Sequence, residues 1–594
     1  MLHWDDSHNK SEAHSAEGDL IMKILYLSIL KFRGLREFAW TATQPMNCLI
    51  GPGDSGKSTI LDAIEYVLSP RWNLTFTDVD FYNGDSANTI EIEATVGNLP
   101  DELKKDDKFG LQLRGWNDKN EIVDEPEEGT EPVLTIRLEV TSSLEPDWRV
   151  INDRLPEGIP ISARDRGRLG VVRLGPYVDR HLGWGRNSAL SKLTANDDEV
   201  ALVLADAGRS AREAVANADL EGLQESAVGA AEAAEQFGVH PKEEYHAALD
   251  ANLSISGQSA ITLHDGEVPV RMAGMGTTRL LALAIQHRSV PEGGILLIDE
   301  IEMGLEPHRL RQLLRILRPT ADAPHQVFMT SHSSVTISEL TAVELNIVRI
   351  EDGVGNILTA SEEIQALLRK APDAFLGRKI LVCEGETEVG VTRHLDKHWQ
   401  TTEYRPPFAA LGVIPITSAK GGGDDTPKMA AEFRRLGYSV GLLCDSDKAL
   451  TPSAEELQDA GIVLAQWSDE LAIEERVCLD IPYKALRDLL DIAIERAAKN
   501  GKDTQTVYDA IGSQIGLDAG RFNGDMDELL VFIEDEDPIR RAFGNRAKHK
   551  NHAWFKRIDY GERLGEVICS YLDDIAGTDL ADKIGIIKGF VYDE

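Results

Sequence analysis

The sequence predicts an α/β protein of two successive domains, the first interrupted by a purely helical stretch. Three observations carry that expectation. Short apolar runs such as "MNCLI", "GGILLID" and "HQVFMTSHSS" alternate with amphipathic segments such as "RLRQLLRILR", the pattern of a mostly parallel sheet covered by helices on both faces. A second series, "KILVCEG", "AALGVIPITSA", "SVGLLCDSDK" and "GIVLAQW", starts at Lys379 after the turn-rich joint "LLRKAPDAFLGR". Between about Leu190 and Leu253 the chain is instead rich in Ala and Glu at helical spacing, and strand signals vanish.

In order, the first twenty residues are polar and acidic and read as a disordered leader, with Met22 a natural second start. "MKILYLSILKFRGL" alternates apolar and polar residues and opens the first domain with strands. "MNCLI" follows, then a mixed, strand-rich segment with an acidic loop at Val123 to Pro132. The helical stretch suits a packing or dimerisation arm and equally a plain helical subdomain. These breaks divide the chain into a leader (1–21), a first α/β domain in two parts (22–188 and 257–370), a helical insert (189–256), and a second α/β domain with a helical C-terminal extension (377–594).

Composition sets bounds. At 594 residues the chain exceeds one hydrophobic core. Its net charge of −38 opposes a sequence-wide attraction to nucleic acid, while leaving room for a local basic channel. No apolar run is long enough to cross a bilayer, so no membrane partner is expected. The five cysteines form no CxxC pair and sit mostly in apolar runs, which suggests reduced, buried thiols in a cytoplasmic protein.

The first chemical site is Gly51-Pro52-Gly53-Asp54-Ser55-Gly56-Lys57-Ser58, the pattern G-x-x-x-x-G-K-[ST] between a strand and the helix "STILDAIEYVL". The glycines let backbone N–H groups close round phosphates, and the helix N-terminus adds positive potential. Lys57 would reach the β/γ-phosphates of ATP, the Ser58 hydroxyl would hold Mg²⁺, and Thr59, next in the chain, is a further expected nucleotide-binding residue. Further on, "ILLIDEIEMGLEP" is an apolar strand ending in Asp299 and Glu300. Asp299 would support the Mg²⁺, and Glu300 would polarise the attacking water. "VFMTSHSS" ends in His332, placed to touch the γ-phosphate. In "AGMGTTRLLALAI", Gly274 and Gly276 open a helix that suits a nucleotide held by a second subunit.

In this order the four motifs resemble the ABC-type ATPases of the SMC and RecF kind. The resemblance implies ATP held between two such heads, hence a homodimer or higher even oligomer through the ATPase domain. Two departures stand out. Met275 takes the place of the usual signature Ser, and no Gln sits clearly between the P-loop and the signature; Asp78 or Asp80 is the nearest stand-in. Both bear more on fast hydrolysis than on ATP binding.

The second chemical site begins with an oddity. "LVCEGETEVG" passes from an apolar strand directly into Glu384, Glu386 and Glu388. A solvated turn would explain it alone. "SVGLLCDSDK" then repeats the pattern, ending in Asp445 and Asp447, which alternation along an extended chain would put on one side. Side by side at the C-terminal edge of a parallel sheet, these acids would repel one another unless cations sat between them. An all-oxygen cluster suits Mg²⁺ or Mn²⁺. The arrangement resembles the Toprim domain of topoisomerases, bacterial primases and a class of nucleases. The resemblance implies that Glu384 is a metal ligand or general acid/base and that Asp445 and Asp447 are metal ligands, with Glu388 joining a second metal.

Two such metals, about 4 Å apart, would serve phosphodiester cleavage. "WSDELAIEERV" adds Asp469, Glu470, Glu474 and Glu475, of which Glu474 is the expected ligand of the second metal. Lys556 is the expected catalytic cation, within a basic stretch of Arg540, Arg541, Arg546, Lys548, Lys550, Lys556 and Arg557. That stretch reads either as a DNA-backbone contact or as an exposed helix face. The Gly-rich loop Ser418 to Asp425 is either a phosphate neighbour or a plain loop.

An ABC ATPase followed by a Toprim domain on one chain resembles the OLD family of ATP-dependent endonucleases, which includes the nuclease subunit of the Gabija antiphage system. The resemblance implies metal-dependent nicking or cleavage of DNA in antiphage defence or DNA processing. It also implies two metals in the Toprim site, regulation by the ATPase and, in some members, a helicase or other defence-system partner. The competing reading is a RecF- or SMC-like ATP-dependent DNA-repair clamp without nuclease activity.

Overall fold

The computed structural model describes residues 22–174, 182, 188, 190, 206, 209, 210, 213, 263–265, 268–288, 293–320, 325–418, 425–520, 536–549 and 552–593. The leader (1–21), nearly all of the helical insert (189–256), the interior of the Ser418-to-Asp425 loop and Lys550 lie outside the described residues. The chain is mixed α/β and forms two compact units, one built from Met1–Gly34, Ala39–Met46 and Ser58–Thr330, the other from Leu35–Phe38, Asn47–Lys57 and Ser331–Glu594. Among the described residues no helix is long and apolar enough to cross a membrane.

In the first unit, Lys23–Phe32, Ile90–Gly97, Glu131–Val140, Pro146–Asn152 and Leu155–Pro160 pair antiparallel in that order. Their register stacks Ile29 on Ile92, Ile92 on Leu138 and Leu138 on Trp148, all buried. The period-2 apolar pattern of these strands therefore lines one core face. Three further strands of the unit pair parallel: Val171–Leu174, Ile295–Ile298 and Gln326–Thr330. Ile295–Ile298 is buried at every position, which is why it reads as an unbroken apolar run and not as an alternation. The Gln326 carboxamide ties the two strand groups together. It accepts the Ile24 N–H at 2.8 Å and donates to the carbonyls of Ile24, Ala42 and Gln44.

In the second unit, the strand Met46–Ile50, which enters it at Asn47, runs parallel to Leu345–Glu351, which pairs antiparallel with Val354–Thr359. A separate four-stranded sheet has the order Val413–Thr417, Lys379–Cys383, Ser439–Cys444, Val463–Gln466, all parallel. Helix Glu386–Thr402 packs on helix Ile558–Ser570 at very short range. A Cβ on Gly390 would lie 2.4 Å from the Ile558 carbonyl oxygen, and one on Gly561 would lie 2.4 Å from that of Thr387. Only glycine permits this approach. Around it lies a core that includes Leu381, Leu395, Trp399, Leu443, Trp467, Val477, Phe543, Trp554 and Phe555. The five cysteines are free, four of them buried.

Candidate functional site

The P-loop follows a strand, Met46–Ile50, whose five residues are all buried. Its glycines have distinct reasons. At Gly51 a Cβ would collide with the Val348 carbonyl oxygen at 2.7 Å, and Gly56 has φ +74°. Lys57 is buried and begins the helix Lys57–Leu68. Its ammonium donates to the carbonyls of Gly51 at 3.1 Å and Pro52 at 2.8 Å, and to Ser55 Oγ at 3.2 Å. The lysine thus closes the loop on itself and stands at its centre. Thr59 is half-buried in the first helical turn.

Ser58 Oγ donates to Asp299 Oδ1 at 3.1 Å. Thr330 Oγ1 donates to the same oxygen at 2.6 Å, and Arg173 Nη2 donates to Asp299 Oδ2 at 3.0 Å. A hydroxyl and a carboxylate side by side are the donors a hard divalent cation takes, so Ser58 and Asp299 fit Mg²⁺. Glu300 has φ +46°, a left-handed conformation unfavourable for a side chain of this size. Two contacts hold it there: its N–H donates to Thr330 Oγ1 at 2.8 Å, and its carbonyl accepts from Arg279 Nη2 at 2.7 Å. Its carboxylate is exposed. His332 is also exposed, two residues beyond the strand Gln326–Thr330.

Met275 opens the helix Met275–Arg288 and is itself exposed, packed over Gly304. Gly276 approaches the Gly304 carbonyl so closely that a Cβ would lie 2.6 Å away. Asp80 is taken up by Arg33 Nε at 3.0 Å and by the N–H and hydroxyl of Thr77, while Asp78 is exposed. Arg173, Arg279 and Thr330 are additions to the expected set. Arg173 had a signal, a lone charge inside the apolar strand "VVRL".

In the second unit, Glu384 directly follows the strand Lys379–Cys383, and Asp445 follows Ser439–Cys444. One oxygen each of Glu384, Asp445 and Asp447 lie within 4.8 Å of one another. The expected strand alternation does not produce this. The strand ends at Cys444, and the chain bends through Ser446, whose N–H donates to the Leu471 carbonyl at 3.1 Å. Asp445 Oδ1 meanwhile accepts the Ile473 N–H at 2.9 Å, at the start of helix Ile473–Asp480. Glu388 and Glu474 are each 3% exposed. Glu388 Oε2 accepts the Gly385 N–H at 2.9 Å, closing the first turn of its helix.

The electrostatics are severe. Burial, reinforced by the charges of Glu388, Glu384 and Glu474, pushes the Asp445 carboxyl up to about 10. Burial and then the charge of Glu474 push Glu388 up to about 8. Burial also raises Glu474, against the opposing pull of Lys556. Carboxyls crowded and buried in this way stay protonated unless positive charge compensates them. The all-oxygen donor set fits Mg²⁺ or Mn²⁺.

Two cations adjoin the cluster. Lys556 is exposed and close enough to act on Glu474. Lys548 was expected only as one member of the basic stretch, yet its ammonium lies 3.3 Å from Asp447 Oδ2 and 3.0 Å from Glu475 Oε2. The rest of the stretch is not one exposed face. Arg540 is buried and donates to the carbonyls of Cys478, Leu479 and Ile481, capping helix Ile473–Asp480. Arg546 donates to Ala510 O and Ser513 Oγ. Arg541 and Arg557 are exposed, Arg557 paired with Asp559. Asp469 and Glu470 form an exposed left-handed turn, and Asp469 pairs with Arg476 at 2.8 Å, so neither joins the cluster.

Two family models match this chain. "P-loop containing region of AAA domain" matches residues 30–78, and "AAA domain, putative AbiEii toxin, Type IV TA system" matches residues 187–338. No curated protein matches it. Similar solved structures include an Smc head domain with an extended coiled coil, bound to the C-terminal domain of ScpA, from Pyrococcus furiosus. It is 14% identical, covers 59% of this chain and 100% of that one, and has a TM-score of 0.34. An SMC head domain from Thermotoga maritima (14% identical; 57% and 99%; TM-score 0.28) and the recombination mediator protein RecF-ATP of the RecFOR pathway (14% identical; 58% and 100%; TM-score 0.32) are also similar. The matched models contain the P-loop and the Asp299–Glu300 strand end, and the chain accordingly carries an ATP-binding P-loop ATPase domain of AAA type.

Proposed function

We propose that this protein is an ATP-regulated, divalent-metal-dependent DNA endonuclease of Toprim type, as the resemblance to the OLD family implies. One observation carries the reading: Glu384, Asp445 and Asp447 converge within 4.8 Å at the ends of two adjacent parallel strands, with Glu388 and Glu474 buried beside them. A structural cluster of this kind would ordinarily be neutralised by arginines or dispersed to solvent. Here Lys548 pairs directly with Asp447 and Glu475, and Lys556 acts on Glu474 from an exposed position.

Bound Mg²⁺ or Mn²⁺ would supply activation of water and stabilisation of the leaving oxygen. Glu384, Asp445 and Asp447 would hold the first ion, and Glu388 and Glu474 would serve the second. The Asp445 and Glu388 carboxyls would give up their protons on binding. Lys556, exposed beside Glu474, would face the scissile phosphate as a point charge. In the ATPase, Lys57, Ser58 and Asp299 would bind Mg²⁺·ATP. Glu300 would orient water, and His332 would sense the γ-phosphate. The ATPase would form the dimer, with the helical insert as its arm, and DNA would be the substrate.

The deciding experiment incubates supercoiled plasmid with the full chain and Mg²⁺ or Mn²⁺, with and without ATP. Metal-dependent nicking that Asp445→Ala abolishes is expected. DNA binding without any nicking would sink the nuclease reading in favour of a RecF- or SMC-like clamp.

A further inference from the structure

The Asp299 carboxylate, one half of the place for the nucleotide's Mg²⁺, presents Oδ1 to Ser58 Oγ while its Oδ2 is held by Arg173. It is the last link of a chain of ion pairs running through the first unit. Arg173 Nη2 donates to Asp299 Oδ2 at 3.0 Å, while its Nη1 binds Asp62 and lies 3.2 Å from Glu65 Oε2. Asp62 and Glu65 lie on the helix that begins with Lys57. The second Asp62 oxygen binds Arg33, whose Nε donates to Asp80 Oδ1 at 3.0 Å. The Arg33 N–H also donates to the Asp80 carbonyl at 2.8 Å, so residue 80 is fastened twice. The side chains of Arg173, Asp62 and Asp80 are 14%, 19% and 13% exposed, so solvent screens these pairs only in part.

We infer that Arg173 is a positioning residue for the nucleotide's divalent cation. It holds Asp299 Oδ2 in competition with the ion, and the Asp62–Arg33–Asp80 pairs set how firmly it holds. The signs alternate along the chain. An arginine shared between two acids grips one more tightly when the other is weakened. Losing the Asp80 charge turns Arg33 fully toward Asp62. Asp62 then holds Arg173 less, and Arg173 falls back on Asp299. Losing Arg173 itself releases Asp299 outright. Occupancy of the cation site and the position of the 77–80 segment are therefore linked, and linkage acts equally in both directions. The inference rests on the ATPase domain and is independent of any nuclease activity.

The test is a Mg²⁺ titration of fluorescent ATP-analogue binding to the full-length protein, with binding in EDTA measured alongside. Binding in EDTA reports the nucleotide site as such; the Mg²⁺ midpoint reports the relay. Arg173→Gln should lower the half-saturating Mg²⁺ concentration roughly three- to tenfold, as expected for removing one partly buried competing ion pair. Asp80→Asn should raise it, by about twofold. Arg173→Lys, which keeps a charge but cannot fork, should fall between Arg173→Gln and the parent. If Arg173→Gln does not fold, the Asp80→Asn shift decides. An unchanged midpoint, shifts of the same sign in Arg173→Gln and Asp80→Asn, or equal loss of binding with and without Mg²⁺ would overturn the inference.

Discussion

The backbone N–H of Asp445 donates to Glu384 Oε2 at 2.8 Å, so the acid at one strand end fixes the backbone of the next. Glu384 therefore has two tasks that substitutions can separate. Glu384→Gln keeps an acceptor for the Asp445 N–H and loses the charge. Glu384→Ala loses both and leaves a partly buried donor unpaired, which costs about 1–3 kcal/mol. Both variants should lose Mn²⁺ binding in calorimetry, while only Glu384→Ala should also melt measurably earlier. Equal melting temperatures for the two would mean that the hydrogen bond does not organise the site.

Lys548 acts from the rim. Its ammonium neutralises Asp447 and Glu475, and Asp447 is also an expected ligand. A lysine there competes with a metal for one carboxylate. Lys548→Ala should tighten Mn²⁺ binding by roughly threefold or more, the scale of one partly exposed ion pair. Weaker binding would instead identify Lys548 as the group that orders Asp447.

The buried acids predict a pH dependence with a definite sign. Asp445 and Glu388 have folded-state pKa values raised to about 10 and about 8, both by burial first. Between the ordinary carboxylate range, near 4, and those values, the folded protein binds more protons than the unfolded chain. The metal-free protein should therefore lose stability as pH rises through that window. Added Mg²⁺ or Mn²⁺ should restore it, with a larger gain at pH 8 than at pH 6. Melting curves in EDTA and in metal at several pH values check this. A metal-free protein that grows more stable over the same range would contradict the buried cluster.

The acidic strand ends are legible in the sequence because each follows an unbroken apolar run, and a parallel strand buried on both faces leaves no other pattern. The P-loop is legible for a stricter reason, since Gly51 and Gly56 stand where no side chain fits. What joins distant elements is much less so. Glu384 and Asp445 are 61 residues apart, and Arg173 and Asp299 are 126 apart. Their meeting depends on strand order, which local pattern does not encode. The basic stretch misleads for a related reason. A run of Arg and Lys looks like solvated surface until Arg540 is seen capping a buried helix end and Lys548 neutralising acids. The bend at Ser446 is another case. Alternation brings Asp445 and Asp447 to one side through a geometry the chain does not adopt, since the strand ends at Cys444.

The Lys57 ammonium separates the two chemistries. It makes three hydrogen bonds within its own loop, to Gly51 O, Pro52 O and Ser55 Oγ, and in a P-loop the same charge is what a nucleotide phosphate recruits. Lys57→Ala removes a charge-assisted contact worth roughly 1.5–3 kcal/mol. ATP affinity should therefore fall by at least about tenfold. Glu384 and Asp445 follow other strands, Lys379–Cys383 and Ser439–Cys444. Mn²⁺ binding at that cluster should be unchanged in Lys57→Ala, while the response of plasmid cleavage to ATP should vanish. Calorimetry with each ligand in turn, on the one variant, makes the comparison. If Lys57→Ala lost metal binding together with nucleotide, the two sites would not be separate, and the assignment of ATP to regulation and the carboxylates to cutting would fail.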